Sequence, residues 1–409
     1  MDYAKRREAI YGLVRAEGIF TWDWMYDNEY ALSCLYGISE QLKKELAYAS
    51  EQLGKVFAKT TAIIQSGDQQ LFLELGIPQP VIAAARIPVL PEMPTLIGRF
   101  DFAKTTEGLK MLEFNSDTPG GIVESYYVNG QVCAYYGLEN PNHGLESEIT
   151  IAFQSMIEKY ARLGYATDSV VFSALDWHAE DAGTARYLMH LARSKAKFVP
   201  LKDLRLLNNR LYSLLNEKLE IIDVLYRLHP LGVLSTETDI DGFPTGEYVL
   251  KLIANGNLAI INPPGAIISQ SKALQALIWN VCQTTDFFNQ EEQEIIACYM
   301  LPTYLENHFL HKCPYVIKPV FGREGIGISL HHADGTLAQC TVNTFQDQSV
   351  VYQKKVELEV AEVETLKGPY RGHLLWGSFL INGKASAISA RIGESITDDL
   401  SYFLPIHLT

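Results

Sequence analysis

Two periods of apolar residues organise the chain. From Ile38 to Gln65 they recur at helical spacing with Lys and Glu between them, which predicts an amphipathic helix, and the first ninety residues read as mainly helical. Pro78, Pro80, Pro88, Pro91 and Pro94 end that region. From Thr95 the period falls to two. Leu96–Phe102 and Leu109–Asn115 alternate on either side of Thr105-Thr106-Glu107-Gly108, which predicts a β-hairpin. Ser169–Leu175 reads as a buried strand, Glu180–Ser194 as a helix and Lys197–Pro200 as a second short strand, a β-α-β unit of an α/β lobe. Ile221–Leu228 is a further strand. After Asn262-Pro263-Pro264-Gly265 the spacing predicts helices over Lys272–Cys282 and Glu291–Met300. Strands follow over Tyr315–Val320, Ile326–His331, Ser349–Gln353, Leu374–Ile381 and Ala385–Arg391. The expected organisation is a mainly helical segment over 1–94, an α/β lobe carrying the hairpin over 95–260, and a second mixed lobe over 261–409.

Size agrees with several lobes, since 409 residues exceed one ordinary core. The formal charge of −14 argues against general nucleic-acid binding, which needs a basic footprint, and leaves room for a cationic substrate. The longest apolar runs, around Val170–Leu175 and Leu258–Ile261, are too short to span a bilayer. Met1–Glu8 has no apolar run behind it and does not read as a signal peptide. Six scattered cysteines form no CxxC pair, so they read as reduced residues of a cytoplasmic protein.

The hairpin carries the densest chemistry. If Phe100 and Phe102 share a face with Leu112 and Phe114, the simplest loop is Thr106–Gly108. Asp101 then lies across from Glu113, and Arg99 across from Asn115. Opposed carboxylates repel. A hard cation with oxygen ligands would offset that, and magnesium takes one or two carboxylates with water and phosphates. Arg99 beside them is placed for a phosphoryl group. The other reading is a solvated face with Arg99 bridging the acids.

Tyr315–Val320 leads into Phe321-Gly322-Arg323-Glu324-Gly325-Ile326-Gly327 and then another strand. The glycine spacing and the following strand fit neither a Rossmann nor a Walker A loop. Such a hairpin can still close over phosphates, with Lys318 just before it, or be an ordinary mobile turn. Lys272 alone reads as a surface lysine at a helix start. Val350–Lys355 is either an edge strand or a hinge that contacts adenine. Asp176–Asp181 joins a buried strand to a helix, where acids cap the helix or form a corner for an amine. His178 and Glu180 match the HxE of zinc deaminases, but no PCxxC follows.

An ordered set of segments resembles the synthetase part of glutathionylspermidine synthases and trypanothione synthetases. These are Arg99-Phe100-Asp101, Leu112–Pro119, Glu124-Ser125, Asp176–Asp181, Ile222–Pro230, Asn262-Pro263-Pro264 with Lys272, Lys318-Pro319 with Gly322–Gly325, Trp376–Phe379 and Arg391. The resemblance implies an α/β ATP-grasp fold, with the 95–260 segment as its pre-ATP-grasp lobe and 261–409 as its nucleotide lobe. It also implies an ATP- and Mg2+-dependent ligase joining a small-molecule carboxylate to an amine through an acyl phosphate. By that resemblance Asp101, Glu113 and Asn115 hold two magnesium ions, and Arg99 and Arg391 serve the phosphoryl group. Lys272, Lys318, Gly322, Gly325, Gly327, Tyr352 and Gln353 serve the nucleotide, and Glu180, Asp181 and Thr118 the substrates. The amidase domain of the bifunctional enzymes is absent, so no hydrolytic half-reaction is expected. Gly120-Gly121 stands where the family carries small hydroxyl residues, and Asp181 replaces a glutamate. The weighed alternatives are a non-catalytic ATP-binding scaffold, which would lack the acids and lysines present here, and a dikinase-like phosphotransferase, which would need a phosphorylatable His.

Overall fold

A computed structural model describes residues 2–193, 195–398 and 400–409. The long helix Glu40–Ser66 starts where Ser39 accepts a hydrogen bond from the Leu42 amide at 3.2 Å, and it buries Leu46, Leu53, Val56, Phe57 and Ile64 along one stripe. Ile38 falls outside it, in a short strand Tyr36–Ile38.

The hairpin forms from Ile97–Thr105 and Gly108–Asn115. Its loop is two residues, not the expected three. The Thr105 hydroxyl accepts from the Glu107 amide and donates to the Gly108 carbonyl, and Gly108 takes φ +93°. A β-bulge between Asp101/Phe102 and their partners adds one residue back. Met111 therefore pairs with Phe102, and Leu112 is the extra residue, while Asp101 still faces Glu113 and Arg99 faces Asn115. Phe100 stacks on Phe114 at 3.8 Å, and Phe57 of the long helix meets both edge-on. Each buried Phe contributes roughly 1.5–3 kcal/mol. The apolar face thus rests on the helix and the polar face turns away from it.

Around the hairpin lies a six-stranded antiparallel sheet ordered Tyr402–Leu404, Lys384–Gly393, Gly368–Ile381, Ile97–Thr105, Gly108–Asn115, with Val360–Thr365 on the free part of Gly368–Ile381. It therefore joins residues on both sides of 260. A parallel sheet is ordered Ala259–Ile261, Val224–Arg227, Val170–Ser173, Lys197–Phe198. Its three inner strands are fully buried and mostly apolar, whereas the edge strand Lys197–Phe198 is partly exposed. The expected strand Ile221–Leu228 is split at Asp223. Lys218–Ile222 turns into a separate three-stranded sheet, and only Val224–Arg227 enters the parallel one. The helix expected over Glu180–Ser194 runs Ala179–Leu191, and Ser194 lies outside the described residues. A five-stranded antiparallel sheet is ordered Thr303–Tyr304, Val350–Lys354, Tyr315–Pro319, Ser329–His331, Leu337–Cys340. At the C-terminus, Ile406–Leu408 pairs with Tyr36–Ile38. All six cysteines are free, and no helix among the described residues is long and apolar enough to cross a membrane.

Candidate active site

The polar face of the hairpin, one face of the five-stranded sheet and the start of helix Ala179–Leu191 enclose a cleft of about 270 Å³. At its centre Asp101 is nearly fully buried. Arg99 grips it with Nε on Oδ1 at 2.6 Å and Nη2 on Oδ2 at 2.9 Å, and donates Nη1 to the Gly120 carbonyl at 2.6 Å. Arg391, on Lys384–Gly393 two strands away in the same sheet, reaches the same Oδ2 at 3.3 Å. Burial disfavours the Arg99 cation, but Asp101 outweighs it and raises its pKa. Across the hairpin, Glu113 pairs with Lys272 at 3.1 Å. Burial pushes the Glu113 carboxyl up; Lys272 and then Lys318 overcome it and bring it down to about 2. Asn115 Nδ2 stands between Asp101 Oδ2 and Glu113 Oε1, 3.3 Å from each.

On the sheet side Lys318 is buried, with Nζ on Gln353 Oε1 at 2.7 Å and on the Leu112 carbonyl at 3.2 Å. The bulge residue thus supplies an acceptor to the lysine. Burial lowers the Lys318 pKa to about 8, although Glu113 opposes it. Val316, Ile328 and Leu330 give this wall an apolar floor. Gly325 carries the loop Phe321–Gly327 against the opposite rim. It has φ +70°, and a Cβ there would lie 2.4 Å from the Thr397 carbonyl oxygen.

The third wall lies beyond the carboxyl ends of the parallel strands, where open α/β sheets hold ligands. His178 Nδ1 accepts from the Asp181 amide at 3.3 Å and starts the helix, and Glu180 in its first turn faces the cleft. Burial, then Glu124 and Asp181, push the Glu180 carboxyl up to about 8. Glu124 is fully buried. Its Oε1 accepts from Trp22 Nε1 at 2.8 Å and from Tyr30 OH at 3.1 Å, and its Oε2 has no partner among the described residues.

Of the residues singled out from sequence, Arg99, Asp101, Glu113, Asn115, Thr118, Glu180, Lys318, Gly325, Gln353 and Arg391 line this cleft. Lys272 lies just behind it, buried, with Nζ also on the Gly322 carbonyl at 2.8 Å. Gly322 and Gly327 form the base of the loop, whose tip is Arg323-Glu324-Gly325. Tyr352 alternates to the far face of its strand, where its ring lies 6.2 Å from that of Tyr315. Asp181 turns its carboxylate to His178 at 3.3 Å. Sequence reading did not single out Met25, Tyr30 and Glu324 as lining residues, nor Gln270 behind them. Tyr30 arrives from the N-terminal segment, where no periodicity marks it. Gln270 lies two residues before Lys272, the one signal that pointed to its neighbourhood.

Two carboxylates are hard-oxygen ligands that suit magnesium; the Asn115 carboxamide between them presents its Nδ2, and the surrounding Arg and Lys cations balance their charge. No group of three or more His, Cys, Asp or Glu suited to a metal occurs among the described residues. The apolar floor beside two buried lysines fits a nucleotide in the same way.

A model of the glutathionylspermidine synthase preATP-grasp family matches residues 5–409. A Haemophilus influenzae protein provisionally named an acid–amine ligase is 25% identical over 326 residues, covering 76% of this chain and 74% of its own. Among solved structures, a glutathione synthetase-like effector from Globodera pallida, in its apo form, aligns over 100% of this chain and 98% of its own. Its TM-score is 0.61 at 14% identity, a likeness of fold. The mixed α/β fold is that of the ATP-grasp-related synthetases.

Proposed function

The chain belongs to the glutathionylspermidine synthase preATP-grasp family, and from that premise we propose that it is an ATP- and magnesium-dependent ligase joining a carboxylate to an amine. The observation that supports this reading is one cleft with three chemically distinct walls: buried lysines over an apolar floor, two arginines on Asp101 across from Glu113, and a glutamate with a raised pKa.

The carboxylate oxygen of the acid attacks the γ-phosphorus of ATP, ADP leaves, and an acyl phosphate forms. The amine nitrogen then attacks the acyl carbon, and phosphate departs with the bonding pair. Lys318 and Lys272 hold the phosphates, with Gln353 fixing Lys318 from behind. Arg99 and Arg391 meet the charge that develops on the transferred phosphoryl group. Asp101 and Glu113, with Asn115 between them, would hold magnesium, which would supply charge neutralisation to the phosphates when bound. The loop Phe321–Gly327 acts as a lid that keeps water from the acyl phosphate. Glu180 receives the ammonium group and takes one proton from it, freeing the nitrogen lone pair that then attacks. Thr118 and the Gly120 carbonyl border the acid, a peptide or amino-acid carboxylate, and the amine is a polyamine or similar cation.

The test is phosphate release from MgATP against crossed panels of peptides or amino acids and amines, with Glu113→Gln as control. Release should require both an acid and an amine and fall by at least about a hundredfold in the control. No release with any pair, in a protein that binds the nucleotide, would refute the ligase.

A further inference from the structure

The donor and acceptor order around Asn115 is fixed from the backbone outward. Gln270 ends the short helix Ala266–Gln270, and its Oε1 accepts from the Ser116 amide at 2.7 Å and the Asp117 amide at 3.1 Å. Backbone amides only donate, so the oxygen end of the carboxamide must face them and its NH2 end must face away. That NH2 donates to Asn115 Oδ1 at 3.3 Å. Asn115 therefore turns its own NH2 toward Asp101 Oδ2 and Glu113 Oε1. Reversing Asn115 would set NH2 against NH2 and an amide oxygen against two carboxylates. In the order observed, all four carboxylate oxygens have an internal cation or donor: Arg99 on both oxygens of Asp101, Asn115 on Glu113 Oε1 and Lys272 on Glu113 Oε2.

We infer that Gln270 is a positioning residue that holds the Asn115 carboxamide as a donor across Asp101 and Glu113, so that the pair takes a divalent cation only together with a nucleotide. The inference rests on the magnesium site proposed above. Phosphates compete for Arg99, Arg391 and Lys272, and in drawing them off they expose the carboxylate oxygens to the cation. Lys272 follows Gln270 by two residues, so phosphate binding acts on the same short segment that orients Asn115. A free cation brings no such competitor and must displace three side-chain cations and the Asn115 donor unaided.

The experiment reads Mn2+ affinity by electron paramagnetic resonance on the full chain, with and without a non-hydrolysable ATP analogue. The wild type should bind Mn2+ at least about tenfold more tightly with the analogue. Gln270→Leu, which removes the donor that fixes Asn115, should bind Mn2+ alone several-fold more tightly than wild type, with analogue affinity unchanged. In an Asn115→Asp background, where no NH2 can be turned, Gln270→Leu should add nothing. Equal Mn2+ affinity with and without the analogue in wild type would overturn the inference and leave the magnesium site standing. Absence of Mn2+ binding in both conditions would overturn that site and the inference together. A Gln270→Leu effect that persists in the Asn115→Asp background would show that Gln270 does not act through Asn115. A circular-dichroism melt of each variant excludes unfolding as the cause.

Discussion

Glu180 shows how one side chain trades stability for chemistry. An unfolded-chain glutamate titrates near 4.5, whereas burial and the neighbouring Glu124 and Asp181 push this one up to about 8. The folded protein therefore holds a proton that the unfolded chain has lost. The stability this contributes is complete below about 4.5 and is lost as pH rises through about 8. Above that the ionised carboxylate faces the carboxylates of Glu124 and Asp181, which is the state an ammonium substrate would relieve. Glu180→Gln should leave the melting temperature unchanged at pH 4 and raise it at pH 9. In the ligase reaction it should raise the KM for the amine at pH 8.5 and leave that for ATP alone. A melting temperature that shifts equally at both pH values would rule out the titration argument, and an unchanged amine KM would remove Glu180 from the amine wall.

At the scale of elements, the hairpin marks both what the sequence made legible and where legibility stopped. Period-two alternation fixes which residues share a face, so the opposition of Asp101 to Glu113 and of Arg99 to Asn115 could be read directly. The route to that pairing could not. A two-residue loop plus a bulge gives the same register as a three-residue loop, and only the former turns Leu112 into the cleft with its carbonyl on Lys318. The break at Asp223 was hidden for a related reason. An apolar run looks continuous even when a buried aspartate, here accepting from the Ser169 amide at 3.1 Å, turns the chain between two sheets. Tyr352 and Asp181 were placed by order along the chain, and side-chain direction then depended on strand alternation and a helix cap. In the sequence Gly325 reads as a glycine for close approach to phosphates; the structure shows it in a left-handed conformation against the Thr397 carbonyl. Gly325→Ala puts a side chain into a left-handed conformation, at about 1–2 kcal/mol, and against the Thr397 carbonyl oxygen. The loop Phe321–Gly327 must then move off the rim. Nucleotide affinity measured by calorimetry should fall several-fold, and trypsin should cut at Arg323 faster. Gly108→Ala, at φ +93° with no atom within 4 Å, carries the same kind of strain without the clash, so its affinity should match wild type. Equal behaviour of the two variants would mean that the contact at Thr397 does not position the loop.

Across the whole molecule, the cleft depends on connections that run from end to end of the chain. The sheet holding the hairpin draws its other strands from residues 360–404, and the strand Tyr402–Leu404 is bonded along its outer edge to the segment that carries Tyr30, with the Phe403 amide on the Tyr30 carbonyl at 2.9 Å. The next strand, Ile406–Leu408, is anchored by Asn129. The Asn129 side chain accepts from the Ile406 amide at 2.7 Å and donates to the Ile406 carbonyl at 2.9 Å, all buried. Its remaining N–H goes to Asn140 Oδ1 at 2.8 Å. Asn129→Ala would leave the buried Ile406 amide without its acceptor, a cost of about 2 kcal/mol. Because Ile406–Leu408 follows directly on Tyr402–Leu404 of the sheet above the long helix and pairs with Tyr36–Ile38, that loss belongs to the global transition and not to a local fraying. Urea unfolding should shift to a lower midpoint with its slope unchanged. A separate early transition, leaving the main midpoint where it was, would instead mean that the C-terminal strands come away alone and that Tyr30 is held in the cleft by its own segment.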